Sequence, residues 1–157
     1  MYKLFYSPFS CSLAVHIALE KTGYDFDMEK IDVRKGAHQK KEYLELNKRG
    51  KVPLLKHGDK YIDQGAAILL YLADKHPETG MMPPINDPQR AEAISALFYM
   101  SNSVHPTLAM AFYPDRFSHG NSGDVLSKAI ERTKQLLSEL NQDIVDEGFL
   151  SGAKPYT

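Results

Sequence analysis

The sequence holds one cysteine, no tryptophan and no surplus of either charge, and each scarcity removes a class of function. A lone thiol, Cys11, cannot build an internal disulfide framework or a multi-thiolate metal centre. The 19 Lys and Arg residues against 20 Asp and Glu leave a formal charge of −1, so no overall positive field exists to hold nucleic acid or an anionic membrane surface. No apolar run approaches the ~18 residues of a membrane span, and the first residues lack the charged-then-apolar pattern of a secretory leader. The histidines (His16, His38, His57, His76, His105 and His119) include no His-x-x-x-His pair and no carboxylate placed to join them on one helix face. The expectation is a soluble, cytoplasmic protein with no metal and with neither nucleic acid nor membrane as partner.

What is present is an ordinary globular composition, and 43% apolar with 10% aromatic residues excludes disorder. A chain of 157 residues suits one domain or two small ones, and at that size it buries roughly 68–70% of its unfolded surface. Residues 3–6 read as a strand and Ser7-Pro8-Phe9-Ser10 as a turn. The apolar residues Leu13, Ala14, Val15, Ile17, Ala18 and Leu19 surround most of a helix over 11–22, which is therefore expected to be largely buried and to stop at Gly23. A second strand over 26–33 loses its parity near Lys30, the sign of a bulge or an edge.

From Arg34 to Lys51 the chain is basic, with a short amphipathic helix around Tyr43, Leu44 and Leu46. Residues 52–56 and 60–62, separated by His57-Gly58-Asp59, predict a hairpin, and 64–75 a helix. The order is βαβ, then ββα. Pro77, Gly80, Pro83 and Pro84 mark a linker, and beyond it the pattern is helical. Asp87-Pro88 opens a helix that Pro106 is expected to kink or end, and Asp124 opens a second that stops at Gly148.

Five places carry chemistry. Cys11 lies where a turn enters a helix, and the unpaired N–H groups and dipole there favour a thiolate, with Ser10 and Ser12 as further hydroxyl donors. The alternative is an inert small hydrophobe. Val52-Pro53 fits an edge strand; a cis bond would turn the Val52 backbone outward to pair with an extended peptide, whereas a trans proline would simply start the strand. Gln64-Gly65-Ala66 begins a helix whose backbone N–H groups suit a carboxylate, although such a start also serves plain capping. Lys35 or Lys51 could meet an anion, or belong to a solvated face. His105 borders the apolar stripe of its helix, where it could bond a thiol or ligand or be structural.

Together these strings resemble a cytosolic glutathione transferase, most similar to the bacterial beta class. The resemblance is carried by Tyr6-Ser7-Pro8-Phe9-Ser10-Cys11-Ser12-Leu13-Ala14-Val15, by Asn47-Lys48-Arg49-Gly50-Lys51-Val52-Pro53-Leu54-Leu55, by Gln64-Gly65-Ala66-Ala67-Ile68-Leu69-Leu70-Tyr71-Leu72, and by His105 after the linker. It implies an α/β plus all-α architecture: a thioredoxin-like domain over 1–75, a linker over 76–88, and a helical domain over 89–157. It further implies a glutathione site in the cleft between the domains, with an electrophilic small molecule or a mixed disulfide as second substrate, and a homodimer.

Carried over residue by residue, Cys11 matches the cysteine that contacts glutathione sulfur, and His105 a histidine near the thiol. Ser12 is the neighbour in the first motif. Val52 and a presumed cis-Pro53 match the pair that binds the cysteinyl backbone, and Gln64 and Gly65 the positions that hold the γ-glutamyl end. Gly65 stands where relatives often carry a hydroxyl, Lys51 where an aromatic is frequent, and Lys48-Arg49 where Asn-Pro commonly continues. The resemblance implies conjugation, thiol exchange through Cys11, or both, with a non-catalytic scaffold as the alternative. Relatives continue past Thr157 into a further buried helix, so the sequence is expected to be a fragment, poorly soluble or tightly associating, with Thr157 a cap lacking its helix.

Overall fold

Alternation sends Leu4 and Phe5 to opposite faces of the first strand, and each finds its own core. In a computed structural model, which describes residues 1–147, the chain divides into two compact units, Met1–Met82 and the residues from Pro83 onward. The expected stop at Gly148 and everything assigned to 149–157 lie outside the described residues.

The first unit holds β1 (Tyr2–Tyr6), α1 (Ser12–Thr22), β2 (Phe26–Lys30), α2 (Lys41–Leu46), β3 (Leu54–His57), β4 (Lys60–Asp63) and α3 (Gly65–Lys75). The sheet order is β2-β1-β3-β4, with β1 and β2 parallel and the other two pairs antiparallel. Leu4 and Leu55 face α1 and α3, packing with Val15, Leu19, Ile68 and Leu72 at no exposure. Phe5 and Leu54 face the other way, onto Ile31 and Tyr43 of the α2 side. Each fully buried Leu or Ile contributes about 1.5–3 kcal/mol of transfer free energy. This is the βαβ-ββα order expected from the sequence, in the thioredoxin-like arrangement that the resemblance implies.

Three local expectations are corrected. α1 is not buried all round: Leu13 and Ile17 are 62% and 59% exposed, because only the stripe through Val15, Ala18, Leu19 and Thr22 meets the sheet and α3. The second strand stops at Lys30, and the parity slip is the exit from an exposed edge strand. There the Ile31 N–H still donates to the Tyr6 carbonyl at 2.7 Å, after which the Asp32 carboxylate accepts the Lys35 N–H and caps a 3-10 turn over Val33–Lys35. The linker is not free of helix either, since Pro77–Thr79 forms one 3-10 turn beside a buried His76.

The second unit contains α4 (Gln89–Tyr99), a π-helical turn over Met100–Val104, α5 (His105–Phe112) and α6 (Ser122–Glu147). Pro106 neither ends nor breaks the rod. It lacks an N–H, and the preceding turn opens to an i→i+5 bond from His105 N–H to the Met100 carbonyl. Val104, Leu136 and Leu140 form this unit's core, with Tyr99 and Leu108 packed on it. The apolar positions of α6 are wider than that core: Ile130, Leu137 and Ile144 remain 43%, 52% and 46% exposed.

Candidate functional site

β1 delivers the chain into the turn before α1, where Phe9 takes a left-handed φ of 55° and is fully exposed. Cys11, expected as the first residue of the helix, is instead the N-cap residue of α1 in αR geometry, one position outside it. The capping is done by Ser10, whose Oγ accepts the Ser12 N–H at 3.2 Å and lies 2.7 Å from the Ser7 carbonyl oxygen. The Ser12 hydroxyl is buried, 2.9 Å from Ser10 Oγ. These two hydroxyls thus serve one another and the backbone; the hydrogen bond of the Cys11 thiol goes instead to the Val52 carbonyl, 3.8 Å away.

The helix N-terminus favours a thiolate, but the shift at Cys11 runs the other way. Desolvation pushes the Cys11 thiol above its ordinary 9.0, and the backbone N–H that favours the thiolate offsets only part of this. Although the residue as a whole is exposed, its sulfur sits against the Val52 segment, and the local surroundings of that atom decide the direction.

That segment is pinned from below. Asn47 Nδ2 and the Tyr43 hydroxyl both donate to the Lys51 carbonyl, at 2.8 and 2.7 Å. Burial pushes the Tyr43 hydroxyl up to about 12, so it stays a donor throughout the neutral range. The Val52–Pro53 bond is cis, the first of the two alternatives the sequence left open. Pro53 is buried, and a Cβ added to Gly65 at the start of α3 would meet its Cγ at 3.9 Å.

Gln64, the N-cap of α3, is exposed and holds φ 69° and ψ 113°. A non-glycine residue in such a conformation costs on the order of 1–3 kcal/mol, and the surrounding structure must hold it there. Asp63 just before it is registered against Leu54 in the β3–β4 ladder, and its Oδ2 accepts from Arg49 Nη1 at 2.7 Å.

The fold of the first unit thus gathers Cys11, Val52, Pro53, Gln64 and Gly65 around the ends of β1 and β3 and the start of α3. Lys51 is exposed at the rim. Lys35 is also exposed, and its ammonium lies 3.8 Å from the Asp32 carboxylate at the end of its 3-10 turn. His105 belongs to the second unit, exposed at the first position of α5. Sequence reasoning missed the Arg49–Asp63 pair and the convergence of Tyr43 and Asn47 on one carbonyl. Neither has a local signal, since partners 14 and 8 residues apart are joined only by the turn of the chain.

A cavity of about 480 Å³ lined by Glu20, Gly23, Tyr24, Asp25, Phe26, Asp27 and Met28 sits elsewhere, at the C-terminal end of α1. An 11-residue helix separates it from Cys11 by roughly 16 Å. Among the described residues no three His, Cys, Asp or Glu side chains are grouped to hold a metal ion, and no helix is long and apolar enough to cross a membrane.

Comparison with known proteins addresses this unit first: residues 1–74 match the glutathione S-transferase N-terminal domain. The chain is 30% identical over 154 residues to the glutathione S-transferase GstA of Escherichia coli O157:H7, covering 97% of this chain and 74% of that protein. A glutathione transferase homolog from Sulfitobacter, solved with bound glutathione, superposes with a TM-score of 0.87 at 25% identity, covering 98% of this chain and 75% of the other. The bacterial beta class glutathione S-transferase of Sphingomonas chungbukensis gives 0.81 at 34% identity, over 97% and 74% of the two chains. Similarity over 97% of this chain and 74% of these relatives, at 30% and 34% identity, places the chain in the glutathione S-transferase family.

Proposed function

We propose that this chain binds glutathione and conjugates it to an apolar electrophilic small molecule. The observation that carries the reading is the 3.8 Å approach of the Cys11 sulfur to the Val52 carbonyl. A tripeptide pairing its cysteinyl backbone with Val52 brings its own sulfur to Cys11, a recognition element and a hydrogen-bond donor in one place. The elevated pKa of Cys11 suits it to donate. Its S–H can turn from the Val52 carbonyl to the glutathione sulfur and stabilise the glutathione thiolate, without itself ionising.

Conjugation then proceeds in one displacement. The glutathione thiol gives up its proton to solvent, its sulfur forms a bond to the electrophilic carbon, and the leaving group departs with the electron pair of the broken bond. Gln64 and the backbone N–H groups of the first turn of α3 receive the γ-glutamyl carboxylate, with Gly65 leaving room. Pro53 shapes the cysteinyl seat. Ser12 supports the thiol turn from within, and Lys51 and Lys35 supply positive charge for the glycyl carboxylate. His105, in the second unit, enters the proposal as the second catalytic residue, a role carried by the family resemblance alone. Phe9, fully exposed beside Cys11, offers apolar surface to the electrophile. The working unit is proposed as a homodimer.

The exposure of Cys11 supports thiol exchange as a second activity. Its thiolate attacks a sulfur of oxidised glutathione, one glutathione thiolate leaves, and a mixed disulfide remains on Cys11. As the sole cysteine, it offers no internal resolving thiol, so a further glutathione must release it.

Conjugation of 1-chloro-2,4-dinitrobenzene by wild type, Cys11→Ser and Cys11→Ala separates these roles, with glutathione binding followed by calorimetry. A donor role predicts that Cys11→Ser keeps most of kcat/KM, whereas Cys11→Ala loses about tenfold. Equal activity of all three variants removes Cys11 from conjugation, and absence of glutathione binding by the wild type defeats the whole reading. Exchange is read by intact mass after oxidised glutathione, where Cys11→Ala must show no adduct.

A further inference from the structure

We propose that Arg49 is a positioning residue for glutathione, acting through Asp63 to set the distance between the two backbone segments that grip the tripeptide. The proposal rests on the glutathione-binding reading above. Arg49 lies in the loop that carries Lys51, Val52 and Pro53, and its own N–H donates to Asn47 Oδ1 at 3.1 Å. The same Asn47 side chain donates to the Lys51 carbonyl at 2.8 Å, so the Arg49 backbone is tied to the Val52–Pro53 segment through one amide group. The guanidinium reaches across to Asp63, the last residue of β4, at 2.7 Å.

Asp63 is followed directly by Gln64, whose φ of 69° must be held against the preference of an L-residue. The β3–β4 ladder fixes Asp63 from one side, by its register with Leu54, and α3 fixes Gln64 from the other, through the Ile68 N–H donating to the Gln64 carbonyl at 3.0 Å. The Arg49–Asp63 contact is the third tie. It joins the cysteinyl-binding loop to the γ-glutamyl-binding turn by a charge-assisted bond instead of leaving them related only through the sheet. The Asp63 side chain is mostly buried at 24% exposure, while Arg49 is 67% exposed, so the pair is partly screened by solvent and its influence is modest and salt-dependent.

The test uses the 157-residue chain and the variants Arg49→Ala, Arg49→Lys, Asp63→Asn and the double variant Arg49→Ala/Asp63→Asn. Glutathione Kd is measured by calorimetry, alongside KM for glutathione, KM for 1-chloro-2,4-dinitrobenzene, kcat and Tm. Positioning predicts a rise in glutathione Kd and KM of about three- to fivefold for Arg49→Ala and Asp63→Asn, with kcat and the electrophile KM within about twofold of wild type. The double variant should be no weaker than either single one, because both remove the same tie. Arg49→Lys should recover part of the affinity, and salt at about 0.5 M should narrow the gap between wild type and Arg49→Ala.

Additive losses in the double variant overturn the proposal, as does a wild type that binds glutathione while Arg49→Ala and Asp63→Asn bind it equally well. A fall in Tm with glutathione Kd unchanged overturns it in favour of a purely structural ion pair. A wild type that does not bind glutathione overturns the underlying reading together with this one, and that result is visible before any variant is made.

Discussion

The Cys11 sulfur and the Val52 carbonyl oxygen stand 3.8 Å apart although 41 residues separate them in the chain. The contact keeps the thiol occupied as a donor, and desolvation at the same place raises its pKa above 9.0. The free protein should therefore react slowly with iodoacetamide at pH 7, with a rate that climbs nearly tenfold per pH unit and levels off only above pH ~9. A half-maximal rate below pH ~8 would mean that the helix dipole prevails over desolvation after all.

Tyr43 is buried beneath the loop that presents Val52, and its hydroxyl donates to the Lys51 carbonyl at 2.7 Å. Tyr43→Phe removes the donor but not the ring. The Lys51 carbonyl keeps Asn47, so the loss should be about 0.5–1.5 kcal/mol in urea unfolding rather than the cost of an orphaned group. Glutathione affinity should fall with it, since the same carbonyl anchors the binding segment. Unchanged affinity in a destabilised variant would place the bond in the fold alone.

Gly65 has no strained φ, and a Cβ there meets only Pro53 Cγ at an ordinary 3.9 Å. Gly65→Ser therefore places its Cβ without a clash. It should stabilise the protein by about 0.5 kcal/mol through helix propensity and the lower entropy of the unfolded chain. Its hydroxyl adds a donor at the start of α3, so glutathione Kd should also decrease, which calorimetry would register. Weaker binding by Gly65→Ser would show that the space above the helix start is needed empty.

His57 accepts or donates at 2.6 Å to Tyr71 and stacks on Tyr2, with the ring centroids 4.2 Å apart. Desolvation first, then the positive N-terminus, Lys75 and His76, hold its pKa below 6.5. The unfolded chain thus binds more protons than the folded one between the lowered value and 6.5. The associated stability is complete above pH ~6.5 and is lost as pH falls through the folded value. Urea midpoints measured from pH 7 down to pH 5 should decline, and His57→Gln should flatten the decline. Parallel slopes in the two proteins would exonerate His57.

The architecture of the first unit was readable because strand and helix periods, turn residues and the His57-Gly58-Asp59 connection all pointed the same way, although His57 itself belongs to β3. Cys11, Val52, Pro53, Gln64 and Gly65 were readable as a group because short motifs carry them. The direction of the Cys11 pKa was not, since it depends on the Val52 segment arriving over the sulfur, a contact between distant parts of the chain. The exposure of Leu13 and Ile17 was hidden for a related reason: periodicity marks apolar residues on a helix but does not say which of them meet a neighbour. Arg49 counted only as one of the charges of the basic tract and Asp63 only as the residue before Gln64, and it is the hairpin that brings them together.

Tyr2 Oη and His76 Nε2, 2.9 Å apart, join the first strand to the residue that leaves α3. This contact has a consequence for synthesis. Separated by 74 residues, the partners meet only after β3 and α3 have been made, which at ribosomal rates of about 5–20 residues per second is on the order of 4–15 s after Tyr2. Until Leu54–His57 has been made, β1 has only its parallel neighbour β2 to pair with, and Leu4 lacks first Leu55 and then Ile68 and Leu72 to cover it. The nascent first unit is thus committed to a wait with its central strand half-partnered, and a ribosome pause shortly before residue 54 would lengthen the window in which a chaperone or protease finds it.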